Sequence, residues 1–182
     1  SVLEAARRSG VKKVVFASTG GAIMGNTPPP VNEDSLPKPI SPYGAGKLCG
    51  EAYCHAYAMS YGLETVCLRF ANVYGPFSGH KKGVITRFIK NIFREIPFTL
   101  YGDGSSSRDY IHVDDLCEGI ASAIRTDVPG GSVFHLASGR ETSLLQLADL
   151  VKKIAGAPEP PCEFMPPRAG EVDRNFAEHH KA

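Results

Sequence analysis

The sequence predicts an α/β fold built on a parallel sheet, with a smaller α/β lobe beside it. Two short apolar runs bounded by turn residues, Val14 to Ala17 and Thr65 to Phe70, have the length and composition of strands buried on both faces of such a sheet. A long helical stretch with its own start and stop signals separates them. The resulting order of helix, strand, loop, helix, strand is that of right-handed parallel crossovers, which place ligands beyond the carboxyl ends of the strands.

The opening, Ser1 to Gly10, reads as a helix, because Leu3, Ala6 and Arg7 fall on one turn spacing and Gly10 supplies a C-cap. The first strand is followed by a loop rich in Gly and Pro. Ser41 then offers an N-cap with Pro42 at the first helical position, and the helix they open runs to about Tyr61 and stops at Gly62. Past the second strand we expect a helix from about Val84 to Arg94, a strand at Phe98 to Tyr101, a strand at Tyr110 to Val113 and a helix from Asp114 to Arg125. A strand at Ser132 to Leu136 and a helix from Ser143 to Ile154 complete the regular part. Pro158, Pro160, Pro161, Pro166 and Pro167 hold the last stretch extended, since proline fixes φ and restricts its predecessor. That stretch is either a linker or, with the charged group Arg168 to Glu171, a binding edge. Thr19 and Asn72 each lie just past the end of a core strand.

Twenty Lys and Arg against 19 Asp and Glu leave a net charge of +1, so no charge field points to nucleic acid or to an acidic membrane surface. The five cysteines, Cys49, Cys54, Cys67, Cys117 and Cys162, are scattered without a Cys-x-x-Cys pair and read as reduced thiols of a cytoplasmic protein. With no His-x-x-x-His spacing among the six histidines, no metal site is expected. No apolar run approaches the roughly 20 residues that a membrane span needs, and no signal peptide opens the chain. The chain begins inside a helix, as an internal piece of a longer fold would.

Tyr43-Gly-Ala-Gly-Lys47 is the sharpest chemical signal. One helical turn separates the phenol from the ammonium, so both can approach one ligand. A tyrosine serving as a base near neutral pH must lose about three pKa units from about 10, or about 4 kcal/mol. A cation about 4 Å away at an effective dielectric near 20 supplies a contribution of that order. Upstream, Ser18 and Thr19 place hydroxyls at a strand terminus, where a hydroxyl can pass a proton between substrate and tyrosine. Downstream, Arg69-Phe-Ala-Asn72 ends another strand with an amide directed at the same crevice.

Together these motifs make the chain resemble the extended short-chain dehydrogenases, in particular their NAD-dependent nucleotide-sugar epimerases and dehydratases. The resemblance covers almost the whole chain, and it implies a Rossmann-like sheet, of which only the C-terminal half is present, with a nucleotide-sugar lobe. It assigns residues 1–75 and 109–139 to the cofactor domain and residues 76–108 and 140–182 to the lobe. It further implies that Thr19, Tyr43 and Lys47 are catalytic, Tyr43 as base, Lys47 as its activator and Thr19 as relay, with Ser18 an alternative hydroxyl. Tyr43, Lys47 and Ala71 would meet NAD, and Asn72 the substrate phosphates. The run Tyr101-Gly-Asp-Gly-Ser-Ser-Ser-Arg108-Asp-Tyr-Ile-His-Val-Asp-Asp-Leu116 is close to a family signature. In it Arg108 would grip the diphosphate, and Thr99 to Tyr101 would line the base pocket. Arg168-Ala-Gly-Glu171 resembles the family's Arg-x-Gly-Asp, which makes Arg168 a second diphosphate contact and Glu171 its neighbour. Arginine suits both places because its planar fork binds phosphate oxygens in pairs.

Two departures stand out. The family's Gly-rich turn, which holds the NAD pyrophosphate at a helix amino terminus, would precede Ser1. Met24 stands where many relatives have tyrosine, on a stretch that resembles the substrate wall. The implied reaction is epimerisation at carbon 4 of a UDP-hexose through a 4-keto intermediate, in a homodimer paired through the opening helix and the Pro42 to Tyr61 helix. Dehydratases of the same family carry an Asp-Glu pair after the hydroxyl residue, where this chain has Gly20 and Gly21. The other readings are a dehydratase or decarboxylase of that family, and a binding module without turnover.

Overall fold

A computed structural model describes residues 2–156, 161–168 and 172–182. Helix α1 (Val2–Arg8), held on its surface by Glu4 between Arg7 and Arg8, leads into β1 (Lys13–Thr19). A five-residue helix, α2 (Gly20–Met24), follows Thr19 directly, where the sequence suggested only a loop. So short a helix has little stability of its own, and packing is what forms it. Ile23 and Met24 are fully buried against Val31 and Ala177. Met24 is therefore part of the core. Gly44 of the next helix comes so close that a Cβ there would lie 2.0 Å from the Ala22 carbonyl oxygen.

Helix α3 (Pro42–Tyr61) has the ends that its sequence announces. The Ser41 side chain accepts a hydrogen bond from the Gly44 amide at 3.1 Å, and Gly62 closes the helix at φ 66°. Strands β2 (Glu64–Phe70) and β3 (Asn72–Tyr74) come next, then a 3-10 turn at Ser78–His80 and helix α4 (Val84–Phe93). After β4 (Phe98–Tyr101), β5 (Ser107–Arg108) and β6 (Tyr110–His112), helix α5 (Val113–Arg125) starts one residue earlier than expected. Its cap is His112, whose imidazole accepts from the Asp114 amide at 3.3 Å. Strands β7 (Ser132–Leu136) and β8 (Thr142–Ser143) precede α6 (Leu144–Ala155), which opens on a capping box of Ser143 and Gln146. Strands β9 (Cys162–Met165) and β10 (Arg174–Asn175) lie in the segment expected to be merely extended. Pro158, Pro160 and Glu171 lie outside the described residues.

The main sheet is parallel with order β1-β2-β7. Central β2 is buried at Val66, Cys67 and Leu68 and carries one hydrophobic core with Ile111, Leu116 and Leu136. Strand β1 is only half-buried, contrary to the expectation of burial on both faces, because it is the sheet's edge and has a strand partner on one side alone among the described residues. Its register pairs Thr19 with Phe70, and β7 pairs Phe70 with Leu136, so the carboxyl ends of all three strands are level. A second core of Phe88, Phe98, Leu100, Leu147 and Ala148 lies between α4, α6 and β4, where Phe88 and Phe98 stack at 4.3 Å. Strand β4 pairs with β9, β3 with β6, and β5 lies between β10 and β8. These short ladders join the second core to the carboxyl end of the main sheet.

Candidate active site

The level strand ends place Thr19 beside the segment that leaves β2, and the Ser41 cap brings the first turn of α3 over both. Between them lies a cavity of about 520 Å3 whose wall includes Thr19, Tyr43, Ala71, Asn72 and Arg108. Tyr43 is 59% exposed. The Lys47 ammonium lies one turn behind it, 5.9 Å from the Tyr43 ring centre and 5.1 Å from that of Phe16, and donates to the Ala17 carbonyl at 2.8 Å. The Thr19 hydroxyl makes no hydrogen bond among the described residues, and a bound molecule can take it as donor or acceptor.

Asn72 is fixed from the side. Its amide nitrogen and its Nδ2 both donate to the Asp109 carbonyl, at 2.9 and 3.2 Å, which leaves Oδ1 as an acceptor that no hydrogen bond occupies among the described residues. Asp109 is itself buried, its carboxylate accepting from the Ser138 amide, the Ser138 hydroxyl and the Gly139 amide at 2.7 to 2.9 Å. The neighbouring Arg108 is held at the cavity rim by the carbonyls of Ser107 and Asp173, at 2.8 and 3.2 Å. Arg108 and Lys81 are the cations of the wall, and no carboxylate lines it among the described residues. Such a lining suits a polyanion with an uncharged, hydroxylated end.

Ser18 reaches the same wall, but its hydroxyl donates to Glu51 Oε1 at 2.6 Å and is committed to the protein interior. Thr99, Tyr101 and Arg168 form a separate group, the first two on β4 and the third beyond β9. The Arg168 guanidinium stacks 3.7 Å above the Tyr101 ring, Arg87 approaches the same ring at 5.9 Å, and Arg87 donates to the Thr99 carbonyl at 3.3 Å. Hydrogen bonding to Arg168, with Arg87 behind it, holds the Tyr101 phenol below its ordinary range. None of these three residues borders the 520 Å3 cavity.

Two wall residues have no local sequence signature. Asn175 comes from β10, is nearly buried, and presents an Nδ2 without a hydrogen-bond partner. A Cβ on Gly21 would lie 2.9 Å from its Oδ1, so this glycine makes room for the amide. Lys81 sits in the loop before α4. Only the three-dimensional fold brings either to Tyr43. A larger cavity of about 1020 Å3 between α4 and α6 is lined mostly by apolar side chains such as Ile89, Leu150 and Ile154. It receives none of Thr19, Tyr43, Asn72 or Arg108, so the chemistry belongs to the smaller one. Among the described residues, no group of three or more His, Cys, Asp or Glu is arranged to hold a metal ion, and no helix is long and apolar enough to cross a membrane.

The description "NAD dependent epimerase/dehydratase family" matches residues 1–137. A UDP-glucose 4-epimerase of Mycolicibacterium smegmatis is 40% identical over 185 residues, covering 98% of this chain and 58% of the relative. The crystal structure of a Thermotoga maritima UDP-glucose 4-epimerase with UDP-glucose superposes with a TM-score of 0.93 at 38% identity, over 99% of this chain and 59% of that one. A Thermus thermophilus UDP-glucose 4-epimerase in complex with NAD gives 0.91 at 37% identity, over 99% and 60%. The chain thus spans about three-fifths of the length of these proteins. With the family pattern running through the main sheet and the same fold through 99% of the residues, the chain belongs to the NAD dependent epimerase/dehydratase family.

Proposed function

We propose that the protein carrying this chain is an NAD-dependent nucleotide-sugar epimerase acting at carbon 4 of a UDP-hexose. The observation that carries this reading is the cavity in which Tyr43 and Thr19 face the space bordered by Asn72 and Arg108, with Lys47 one turn behind the phenol. Tyr43 takes the proton of the sugar hydroxyl and later returns it, while Lys47 places positive charge beside the phenol and Thr19 bridges phenol and sugar. Arg108 and Asn72 hold the diphosphate. Arg168, with Tyr101 and Thr99, closes the base end of the substrate, and Glu171 belongs to the same segment. We assign the nucleotide-sugar lobe to residues 76–108 and 140–182 and the cofactor domain to residues 1–75 and 109–139; the core around Leu68 lies in one and the core around Phe88 in the other, and a third cluster joins Ile23, Met24 and Val31 to Ala177 between them.

The residues present fit the nicotinamide end of NAD. Ala71 leaves space on the cavity wall for a flat ring, and Tyr43 supplies a hydroxyl for a ribose, with the Lys47 ammonium one turn behind it and able to donate a further hydrogen bond beside the one it gives to the Ala17 carbonyl. When bound, NAD supplies the acceptor and donor of the hydride at carbon 4. Tyr43 and Thr19 then need only move a proton, and Arg108 only to keep the nucleotide fixed while the sugar turns.

The dehydratase reading is weaker for a steric reason. An acid and a base for elimination are expected after Thr19, but a Cβ at Gly20 would lie 3.2 Å from the buried His135 ring and one at Gly21 2.9 Å from Asn175. A binding module without turnover leaves the pairing of Tyr43 with Lys47 unexplained. We further propose a homodimer, and a cytoplasmic location that matches the free thiols of the five cysteines.

The test is to incubate the full-length protein with NAD and UDP-glucose and to follow UDP-galactose by NMR. Tyr43→Phe should lower turnover by about 10²- to 10⁴-fold, the range for loss of a positioned acid–base group. UDP binding should persist, because the ring and the arginines remain. Near wild-type turnover in this variant would remove Tyr43 from the mechanism.

A further inference from the structure

We infer that Glu51 is a positioning residue for the Tyr43 and Lys47 pair: one buried carboxylate ties together the three segments that supply the reactive groups of the cavity. This inference rests on the epimerase reading. Tyr43, Lys47 and Glu51 follow one another at one-turn intervals on α3, so the carboxylate is the third member of a helical row that starts with Tyr43 on the cavity wall and passes through Lys47, bonded to the Ala17 carbonyl, into the buried interior. Glu51 Oε1 accepts from the Ser18 hydroxyl at 2.6 Å and from Arg69 Nε at 3.0 Å, and its Oε2 accepts from Arg69 Nη2 at 2.8 Å. Arg69 also points Nη1 at the Glu33 carbonyl, 3.4 Å away. Ser18, Glu51 and Arg69 are exposed by only 3, 6 and 4%.

The places of these partners in the chain give the contact its meaning. Ser18 precedes Thr19 at the end of β1, and Arg69 stands three residues before Asn72 at the end of β2. A shift of α3 along its axis therefore breaks directional bonds to both strands at once, whereas an apolar contact there would let the helix slide. Stability alone does not call for such a group, because a buried ion pair replaced by apolar residues of similar volume is often no less stable. Position does call for it, since a displacement of about 1 Å at a reacting group can cost on the order of 10²-fold in rate. Ser18 adds a second effect. With the Ser18 proton committed to Glu51, Thr19 keeps the unengaged hydroxyl of the two neighbours at the end of β1.

The experiment compares four forms of the full-length protein: wild type, Glu51→Gln, Ser18→Ala, and the double variant Glu51→Leu with Arg69→Met. For each, kcat and KM for UDP-glucose are measured beside the thermal midpoint. Glu51→Gln should lower kcat by about tenfold or more with KM for UDP-glucose nearly unchanged, because the nucleotide is held elsewhere. The apolar pair should recover the thermal midpoint but not kcat. Recovery of kcat together with the midpoint would make Glu51 a purely structural residue, and an unchanged kcat in Glu51→Gln would remove its role. Should Glu51→Gln not fold, Ser18→Ala decides: it keeps the ion pair, and a kcat equal to wild type would overturn the inference. Turnover by wild type that Tyr43→Phe retains would sink the assignment of Tyr43 and with it the inference that Glu51 positions the pair. A wild type without epimerase turnover overturns both readings.

Discussion

Arg108 and Arg168 look alike in the sequence, each in a motif that resembles a diphosphate contact, yet they sit differently in the fold. Arg108 stands on the cavity rim, its guanidinium oriented by the carbonyls of Ser107 and Asp173, while Arg168 lies flat on Tyr101. Hydrogen bonds to a charged partner contribute about 1.5 to 3 kcal/mol, so Arg108→Ala should weaken UDP binding by roughly ten- to over a hundredfold. Arg168→Ala should weaken it less. Calorimetric titration of both full-length variants with UDP checks the order, and a larger loss at Arg168 would show that it leaves Tyr101 to reach the phosphates. His135 supports a second prediction at this scale. Burial, with Arg69 next to it, holds its imidazole below the ordinary value, and Glu33 and Glu51 oppose this only in part. The folded chain therefore keeps His135 neutral, while the unfolded chain takes up a proton as pH falls through about 6.5. Stability from this residue is complete above that pH and is lost below it, down to the lower folded value. The thermal midpoint should drop between pH 7 and pH 5, and His135→Gln should flatten the slope there. Losses at lower pH belong to Glu4 and Glu141, both held at about 2 by hydrogen bonds first from Arg7 and Arg174 respectively.

Much of what is legible in the sequence is legible one element at a time. Ser41, Pro42 and Gly62 mark the two ends of α3 because capping is a contact between near neighbours in the chain, and the same holds for Ser143 and Gln146 at α6. Tyr43 and Lys47 could be paired from their spacing alone, and Thr19 and Asn72 placed from the strands that precede them. Elements made by distant partners gave no such signal. Helix α2 exists because Ile23 and Met24 find a core and Gly44 lets α3 approach, and the two-residue strands β5, β8 and β10 exist only as one another's partners. For the same reason Glu51 reads as a surface position on a polar helix, and Asn175 as part of a tail. Each acquires its role from residues far away in the chain, Arg69 and Ser18 in one case and Gly21 in the other. Strand β1 shows the opposite limit, an apolar run whose composition reports burial on both faces while, among the described residues, it has a strand partner on one side alone and is only half-buried.

At the scale of the whole molecule, short ladders join the cores around Leu68 and Phe88, and two exposed apolar surfaces stand out among the described residues. One is the outer side of α3, where Tyr53, Ala56 and Met59 are exposed, Met59 by 63%. The other is the groove between α4 and α6, which ends in exposed Phe93 and Ile154. Contiguous apolar surface of this kind marks contact with another polypeptide more often than with water. The first has the better claim to a symmetric dimer. It is a 20-residue helix, and α1 lies beside it, linked through Arg7 over the Tyr61 ring at 5.0 Å, so two copies can pair four helices across one axis. Because a two-fold contact uses the same patch twice, one charged substitution enters it twice. Met59→Glu in the full-length protein should then give a monomer by light scattering, at a concentration where the wild type is a dimer, while Phe93→Glu should leave the dimer intact. The cavity lies at the first turn of α3 and Met59 near its last, so Met59→Glu should keep its affinity for UDP. A wild-type monomer would remove the dimer. A dimer lost on Phe93→Glu and kept on Met59→Glu would move the interface from α3 to the groove between α4 and α6.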